Sequence, residues 1–543
     1  MVSREYDGLA GAGGVKDVCR QLAESLAGKG GCRVRVVLPR YGFMDAQSLG
    51  FAPLRLPGFP CVDTETQGLI DTLSLDMNYP GENRLERVAI WQAVRHGVSV
   101  YLVEAERFAE KLSVYTYTAE EERVRSWQRH GAGHIDYFAM NILLQKAALA
   151  LMMALGERPE VIHCQDGHTA VLPALIREME GYRQYFRQTG AVVTIHNAGI
   201  GYHQEVADLP FARAITGLSA QVVNDALLGT TFDPFLAAAP YAVLNTVSEQ
   251  YARELQESDE DARTGWLGHQ LRLRGVTLAG VTNGINPADF NTSRGKALLG
   301  LAASYDVNKG HFAGKRECKE SLLHILGTRD NKGRVSQAGQ LAMHPDQPLI
   351  TFIGRLTAQK GVDILLGSCE VLLREDSEFQ LVVLGGGDPE LESQLTALAE
   401  TEEFGDRVCF LGGYDQDLAM KIYAAGDFFL IPSLYEPCGL TDYIAQLLGN
   451  LPIVHHVGGL VKVLDGRTGF SYREHSPGAL ADCVRRALSL YRTDPAGIRS
   501  MQQQAVRHVR EQYSWDRVKD RYLAIYDQSV RMACSALVRE VLA

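Results

Sequence analysis

The feature that most constrains this chain is an alternation of strand-length and helix-length segments, run through twice. In the first half, residues 34–39 (Val-Arg-Val-Val-Leu-Pro), 99–103, 161–163 and 191–195 have the length and apolar content of buried strands. Between them Val15, Val18, Leu22 and Leu26 recur at helical spacing, and the glycines from Gly28 to Gly31 end that pattern. Residues 137–155 read as one long helix. The alternation restarts with strands predicted at 349–353, 380–384, 408–411, 428–431 and 452–455, a helix at 362–373 and a helical pattern over 514–542. Strands alternating with helices imply parallel sheets with crossover connections. A chain of 543 residues is too long for one core, so two α/β domains facing across a cleft are expected. The stretch from about 304 to 347 is more polar, with one helix-like run at 315–326, and the boundary is placed near its end.

The start is unusual. A doubly wound domain opens with a buried strand, whereas this chain reaches a glycine-rich loop by Gly8. Only Met1 and Val2 remain of such a strand, so the first strand is expected to be missing or the native chain to begin upstream.

Composition narrows the function. Apolar residues make up 46% and charged residues 22%, an ordinary globular balance, and 54 basic against 65 acidic side chains leave a net charge of -11. That disfavours a general nucleic-acid binder but not a small anionic substrate, since a few placed cations can dominate one site. Ten cysteines at scattered spacings, none in a metal-binding pattern, read as reduced thiols of a cytoplasmic protein. No uninterrupted apolar run of about 18 residues predicts a membrane span, and no secretory signal pattern is visible.

The chemistry-bearing residues gather where predicted strands end. After the strand at 428–431 comes Pro432-Ser433-Leu434-Tyr435-Glu436-Pro437-Cys438-Gly439-Leu440, followed by a helix-like stretch from Thr441. The amides of Gly439, Leu440 and Thr441 would open that helix, where free N–H groups and the helix dipole favour phosphate. Glu436 would face the same crevice, although a carboxylate in this place can equally cap its own helix. Arg355 and Lys360, in Gly354-Arg355-Leu356-Thr357-Ala358-Gln359-Lys360-Gly361, follow another strand. Two such cations can hold a diphosphate, and taken alone they can equally be solvated surface charges. The loop carrying Gly13 and Gly14 permits close backbone approach to a ligand but lacks dinucleotide-fingerprint spacing. His163-Cys164-Gln165-Asp166-Gly167-His168 and Thr194-Ile195-His196-Asn197 end two strands with polar groups. Without a further ligand cluster, hydrogen bonding to a hydroxylated ligand is the more natural reading than metal binding. Gly458-Gly459-Leu460 offers another close backbone approach, and Asp388 is predicted to cap a helix.

In order along the chain, GGVKDV, PRY, HCQDGH, TIHN, NTVSEQYARE, GVTNGINPADFN, GRLTAQKG, LGGGDPELE, GDFFLIPSLYEPCGL and GGL with a later TGF resemble the bacterial glycogen synthase and plant starch synthase family, glycosyltransferase family 5. The likeness runs from about Glu5 to Tyr526. It implies a GT-B fold of two Rossmann-like domains facing across a cleft: a starch-synthase-type domain at 1–300, a connecting segment at 301–346, a nucleotide-sugar domain at 347–513, and a helix at 514–543 crossing back to the first. It implies retaining transfer of glucose from ADP-glucose to the non-reducing end of an α-1,4-glucan, with no metal or other cofactor. Matching positions would give Arg355 and Lys360 to the donor diphosphate and Glu436 to the reacting centre. The Gly439 and Leu440 amides, with Thr441, would serve phosphate and sugar. His168 and Asn197 would lie near glucose, Tyr414 would pack on the base, and Cys438 would line the substrate.

The departures are specific. Where the family has Lys-Thr-Gly-Gly-Leu, this chain has Gly11-Ala12-Gly13-Gly14-Val15, without the lysine; Lys16 is close but points elsewhere on the helix. His-Asp-Trp-His becomes Gln165-Asp166-Gly167-His168, Asn-Gly-Ile-Asp becomes Asn283-Gly284-Ile285-Asn286, and the Thr-Gln after the Glu436 segment becomes Thr441-Asp442. Two alternatives therefore stand beside the glucan synthase: the same fold with another donor or acceptor, such as UDP-glucose or a small sugar, and a glucan- or nucleotide-binding protein with impaired turnover. The sequence is silent on oligomeric state.

Overall fold

The strand-like runs of the first half pair side by side in a single sheet. The structure, a computed structural model, describes residues 1–57, 69–328 and 334–542. It divides into two compact units, Met1–Gly284 with Trp515–Ala543, and Ile285–Ser514. The boundary thus falls ahead of the segment at 301–346, which belongs to the second unit. There the helix Ala313–Leu326 packs Cys318, Leu322, Leu323 and Leu326 into the core.

In the first unit, Arg35–Pro39 pairs in parallel with Val98–Glu104, and Val161–Gln165, Gly190–Ile195 and Val243–Thr246 form a second parallel run. The two runs meet through the first residues of the chain. Val2 bridges Cys164 on one side and Val37 on the other, both in parallel. Its N–H donates to His163 O at 2.9 Å, and Gln165 N–H donates back to Val2 O at 3.1 Å. Residues 1–3 therefore occupy the lane of the strand that the sequence reading treated as missing. The edge of the sheet is antiparallel: Leu85–Arg95 pairs with Val98–Glu104 and with Thr72–Asp76.

The helix Tyr137–Ala154 is long and apolar enough to cross a membrane by composition, but most of it is buried within this unit, which makes it a core helix. The last helix, Trp515–Leu542, packs on the strand Gly190–Ile195. Gly190 makes that approach possible, since a Cβ there would lie 2.4 Å from Ser529 Oγ. Trp515 Nε1 donates to Gln21 Oε1 at 2.8 Å, and His163 Nδ1 lies 2.9 Å from Tyr526 OH.

The second unit is a seven-stranded sheet. Its parallel strands run in the order Val408–Gly413, Gln380–Gly385, Leu349–Ile353, Phe428–Ile431, Leu451–His455 and Phe470–Tyr472, with Val335–Gly339 antiparallel at the edge. Alternate residues serve opposite faces, as a pleated strand requires. Ile350 and Phe352 pack with Leu365 and Leu372 on one face, while Leu349 and Ile353 pack with Leu418 and Ile422 on the other. Both faces being covered explains why these strands read as continuous apolar runs. Asp388 caps the helix Pro389–Ala399 through Glu390 N–H. No disulfide joins any of the nine cysteines among the described residues, and Cys61 lies outside them.

Candidate active site

In an open parallel sheet the carboxyl ends of the strands carry the ligand-binding loops, and in the second unit those loops are welded together. The loop after Leu349–Ile353 turns through a short helix, Ala358–Lys360, and ends at Gly361 with φ +68°. A Cβ at Gly361 would stand 2.0 Å from Pro432 O, so only glycine lets this loop dock on the one after Phe428–Ile431. Leu434 N–H closes the junction on Gln359 O at 2.9 Å.

That docking brings Lys360 to Glu436. Lys360 Nζ donates to Glu436 Oε2 at 2.6 Å, and Ser433 Oγ donates to the same oxygen at 3.0 Å. Burial alone would raise the Glu436 carboxyl, but the Lys360 ammonium and the Ser433 hydroxyl hold it below the usual glutamate value. The helix Thr441–Leu447 has no side-chain cap, so Glu436 is not spent on capping it. The N–H groups of Gly439, Leu440 and Thr441 meet no acceptor among the described residues. One strand end therefore carries a half-buried carboxylate, an ammonium and three amides without an acceptor among the described residues.

Cys438 is buried, and Gly459 presses on it: a Cβ at Gly459 would lie 2.2 Å from Cys438 O. Gly459 thus approaches the chain's own backbone, and its N–H donates to Glu436 O at 2.9 Å. Gly459→Ala is expected to destabilise the protein by about 1–3 kcal/mol, the usual cost of overpacking, and to lower activity. A melting temperature and specific activity equal to wild type would refute this reading of the contact. Arg355 is exposed and has no partner among the described residues. Tyr414 follows Val408–Gly413, which two strands separate from Phe428–Ile431, and is 62% exposed.

The first unit gathers a separate polar cluster at its own strand ends. Glu5, just past the lane of residues 1–3, accepts from Ala12 N–H at 2.8 Å and Gly13 N–H at 3.1 Å through Oε2. Through Oε1 it accepts from Tyr115 OH at 2.5 Å. The ring of Tyr115 stacks on His168, with centroids 4.9 Å apart. Burial keeps the His168 imidazole neutral, well below its ordinary pKa. Gly14 caps the first helix with its backbone alone. Asp166 adopts φ 61° and accepts from His196 N–H at 2.9 Å, joining two strand-end loops; burial pushes its carboxyl up to about 7. Asn197 Oδ1 accepts from Gly199 N–H at 2.8 Å. Lys16, the cation nearest the altered loop, is engaged by Asp7 at 3.3 Å and Asp17 at 3.4 Å.

Among the site residues read from sequence, Lys360, Glu436, Cys438, Gly439, Leu440 and Thr441 therefore form one cluster, and Gly13 and His168 belong to another, linked through Glu5 and Tyr115. Glu5, Tyr115 and Lys462 were not singled out, while Asp166 was read only as part of a polar strand end and Asp442 only as a departure after the Glu436 segment. Glu5 had a signal, since an acidic residue shortly before a glycine loop can reach its amides. Among the described residues no group of His, Cys, Asp or Glu has the arrangement of a metal site.

The same architecture occurs in the catalytic domain of Starch Synthase IV from Arabidopsis thaliana, a structure bound to ADP and acarbose. It superposes with a TM-score of 0.77 at 24% identity, covering 98% of each chain. A sucrose-phosphate synthase from Thermosynechococcus elongatus matches with a TM-score of 0.54 at 17% identity, covering 97% of each. The fold is GT-B, a glycosyltransferase class. The family model for the starch synthase catalytic domain matches residues 1–271, and that for glycosyl transferases group 1 matches residues 336–504. A glycogen synthase of Anaeromyxobacter sp. (strain Fw109-5) is 32% identical over 537 residues, covering 97% of this chain and 98% of the relative. One of Aeromonas salmonicida (strain A449) is 30% identical over 544 residues, covering 98% of each. The chain belongs to the glycogen synthase and starch synthase family, and is a glycosyltransferase.

Proposed function

We propose that this enzyme transfers glucose from ADP-glucose to the non-reducing end of an α-1,4-glucan with retention of anomeric configuration. The observation that carries the reading is the pairing of Lys360 with Glu436, shortly before the three amides of Gly439, Leu440 and Thr441 that meet no acceptor among the described residues. A nucleotide sugar presents a diphosphate and a reacting sugar side by side, and this cluster offers a partner for each. Lys360 and Arg355 hold the diphosphate, the amides take its oxygens, and Glu436 faces the sugar. Cys438 lines the pocket and Tyr414 packs on the base. In the first unit, His168 and Asn197 serve sugar hydroxyls, and Gly13 and Gly14 shape the loop beside them.

The chemistry asks the site to stabilise an oxocarbenium-like sugar and the charge growing on the departing phosphate. Fixed cations and amides act on that charge directly. The diphosphate leaves on the face that the acceptor hydroxyl attacks, so no covalent glycosyl-enzyme is needed.

A second reading, a glucan- or nucleotide-binding protein with impaired turnover, is favoured by the first-unit loop. The family resemblance places a lysine where Gly11 stands, and Lys16 is tied to Asp7 and Asp17. The test is incorporation of labelled glucose into glycogen from ADP-glucose and from UDP-glucose. Incorporation from ADP-glucose is expected. Incorporation from UDP-glucose alone would replace the donor, and nucleotide binding without incorporation from either would favour the second reading.

A further inference from the structure

Lys462 ends the short helix Gly458–Lys462, and its side chain is 4% exposed. A buried ammonium needs acceptors on every side, and among the described residues those around Lys462 come from the segment after Glu436. Nζ donates to Cys438 O and to Gly439 O, the latter at 2.9 Å. It ion-pairs with Asp442 Oδ1 at 3.1 Å and lies 4.4 Å from the centre of the Tyr443 ring.

The two carbonyl contacts have a geometric consequence. In a planar trans peptide the C=O and the following N–H point in opposite directions. Turning Cys438 O and Gly439 O toward one ammonium turns the N–H groups of Gly439 and Leu440 away from it. These are two of the amides that meet no acceptor among the described residues. Gly439, at φ +74°, accommodates the backbone that this requires.

Asp442 accounts for the cation. It is fully buried, at 0% exposure. A carboxylate there without a counter-charge would be strongly destabilising. Gln446 Nε2 adds one hydrogen bond to Asp442 Oδ2 at 3.3 Å. Lys462 also lies close enough to Glu436 to favour its ionised form.

We infer that Lys462 is a positioning residue for the donor diphosphate: anchored by Asp442, it fixes the two peptides after Cys438 so that the Gly439 and Leu440 amides face the phosphates. This rests on the donor site proposed above. It predicts that Lys462→Met weakens ADP binding and raises the KM for ADP-glucose by about tenfold, the loss expected when a charge-assisted hydrogen-bonding arrangement is released. The KM for glycogen should hold.

Lys462→Met also strands Asp442, so a lower melting temperature is expected from that variant alone. The double variant Lys462→Met/Asp442→Asn removes the stranded charge. It should recover most of the melting temperature while keeping the weak ADP binding and the high donor KM. A double variant with wild-type ADP affinity and donor KM would overturn the inference and leave the pair a structural one. Wild-type enzyme that binds no ADP by calorimetry would overturn the donor site itself, and the inference with it.

Discussion

Lys360→Ala is expected to lower kcat/KM for ADP-glucose by about 10²–10³, the range seen when a preorganised group aimed at developing charge is removed. Lys360 Nζ is 2.6 Å from Glu436 Oε2 and partly open to solvent, with 23% of its side chain exposed. It can therefore serve two anions: the carboxylate already beside it and the phosphate that leaves. Its loss should also move the acid limb of the pH–rate profile. Burial acts to raise the Glu436 carboxyl and Lys360 acts to lower it, with the net shift downward. Without the ammonium the burial effect dominates, Glu436 takes up its proton at higher pH, and activity falls off earlier on acidification. A few-fold effect on kcat/KM with an unmoved acid limb would mean that the diphosphate is held elsewhere.

Glu436→Ala is expected to lower kcat by at least about 10², with the fold intact. The carboxylate accepts from both Lys360 and Ser433, so it is held in one place and one charge state. Truncation leaves Lys360 without its carboxylate, but that ammonium is partly solvated, which limits the cost to stability. ADP binding should survive, because the amides and Arg355 do not depend on Glu436 for their placement. Rapid-quench measurement of the first turnover separates chemistry from product release. Unchanged turnover would remove Glu436 from the mechanism.

Much of this was legible in the sequence because a buried parallel strand writes itself as an uninterrupted apolar run. Leu349–Ile353 and Phe428–Ile431 were read to the residue for that reason. The Glu436 segment was legible because its residues lie between such a strand and a helix. What escaped depends on contacts between elements. Asp442 and Lys462 pair from two different elements, and neither residue type at its own position announces a partner. Residues 1–3 are too few to carry a strand's periodicity, yet backbone hydrogen bonds on both sides give them a central lane. The antiparallel edge, with Leu85–Arg95 half exposed, has neither the continuous apolar run of a buried strand nor a clean alternation. The role of Glu5 required knowing that Tyr115 and the glycine loop reach it from opposite sides.

The return of the helix Trp515–Leu542 to the first unit bears on the order in which the protein is made. The second unit is continuous, Ile285–Ser514, whereas the first is built from both ends of the chain. On the ribosome the later-encoded unit is complete when its last residue emerges, while the earlier-encoded one still lacks the helix that covers the strand Gly190–Ile195. The first unit must therefore wait, with part of its apolar sheet face uncovered, until that helix has been made. A nonsense mutation within the codons of the helix Trp515–Leu542 would spare the second unit and spoil the first.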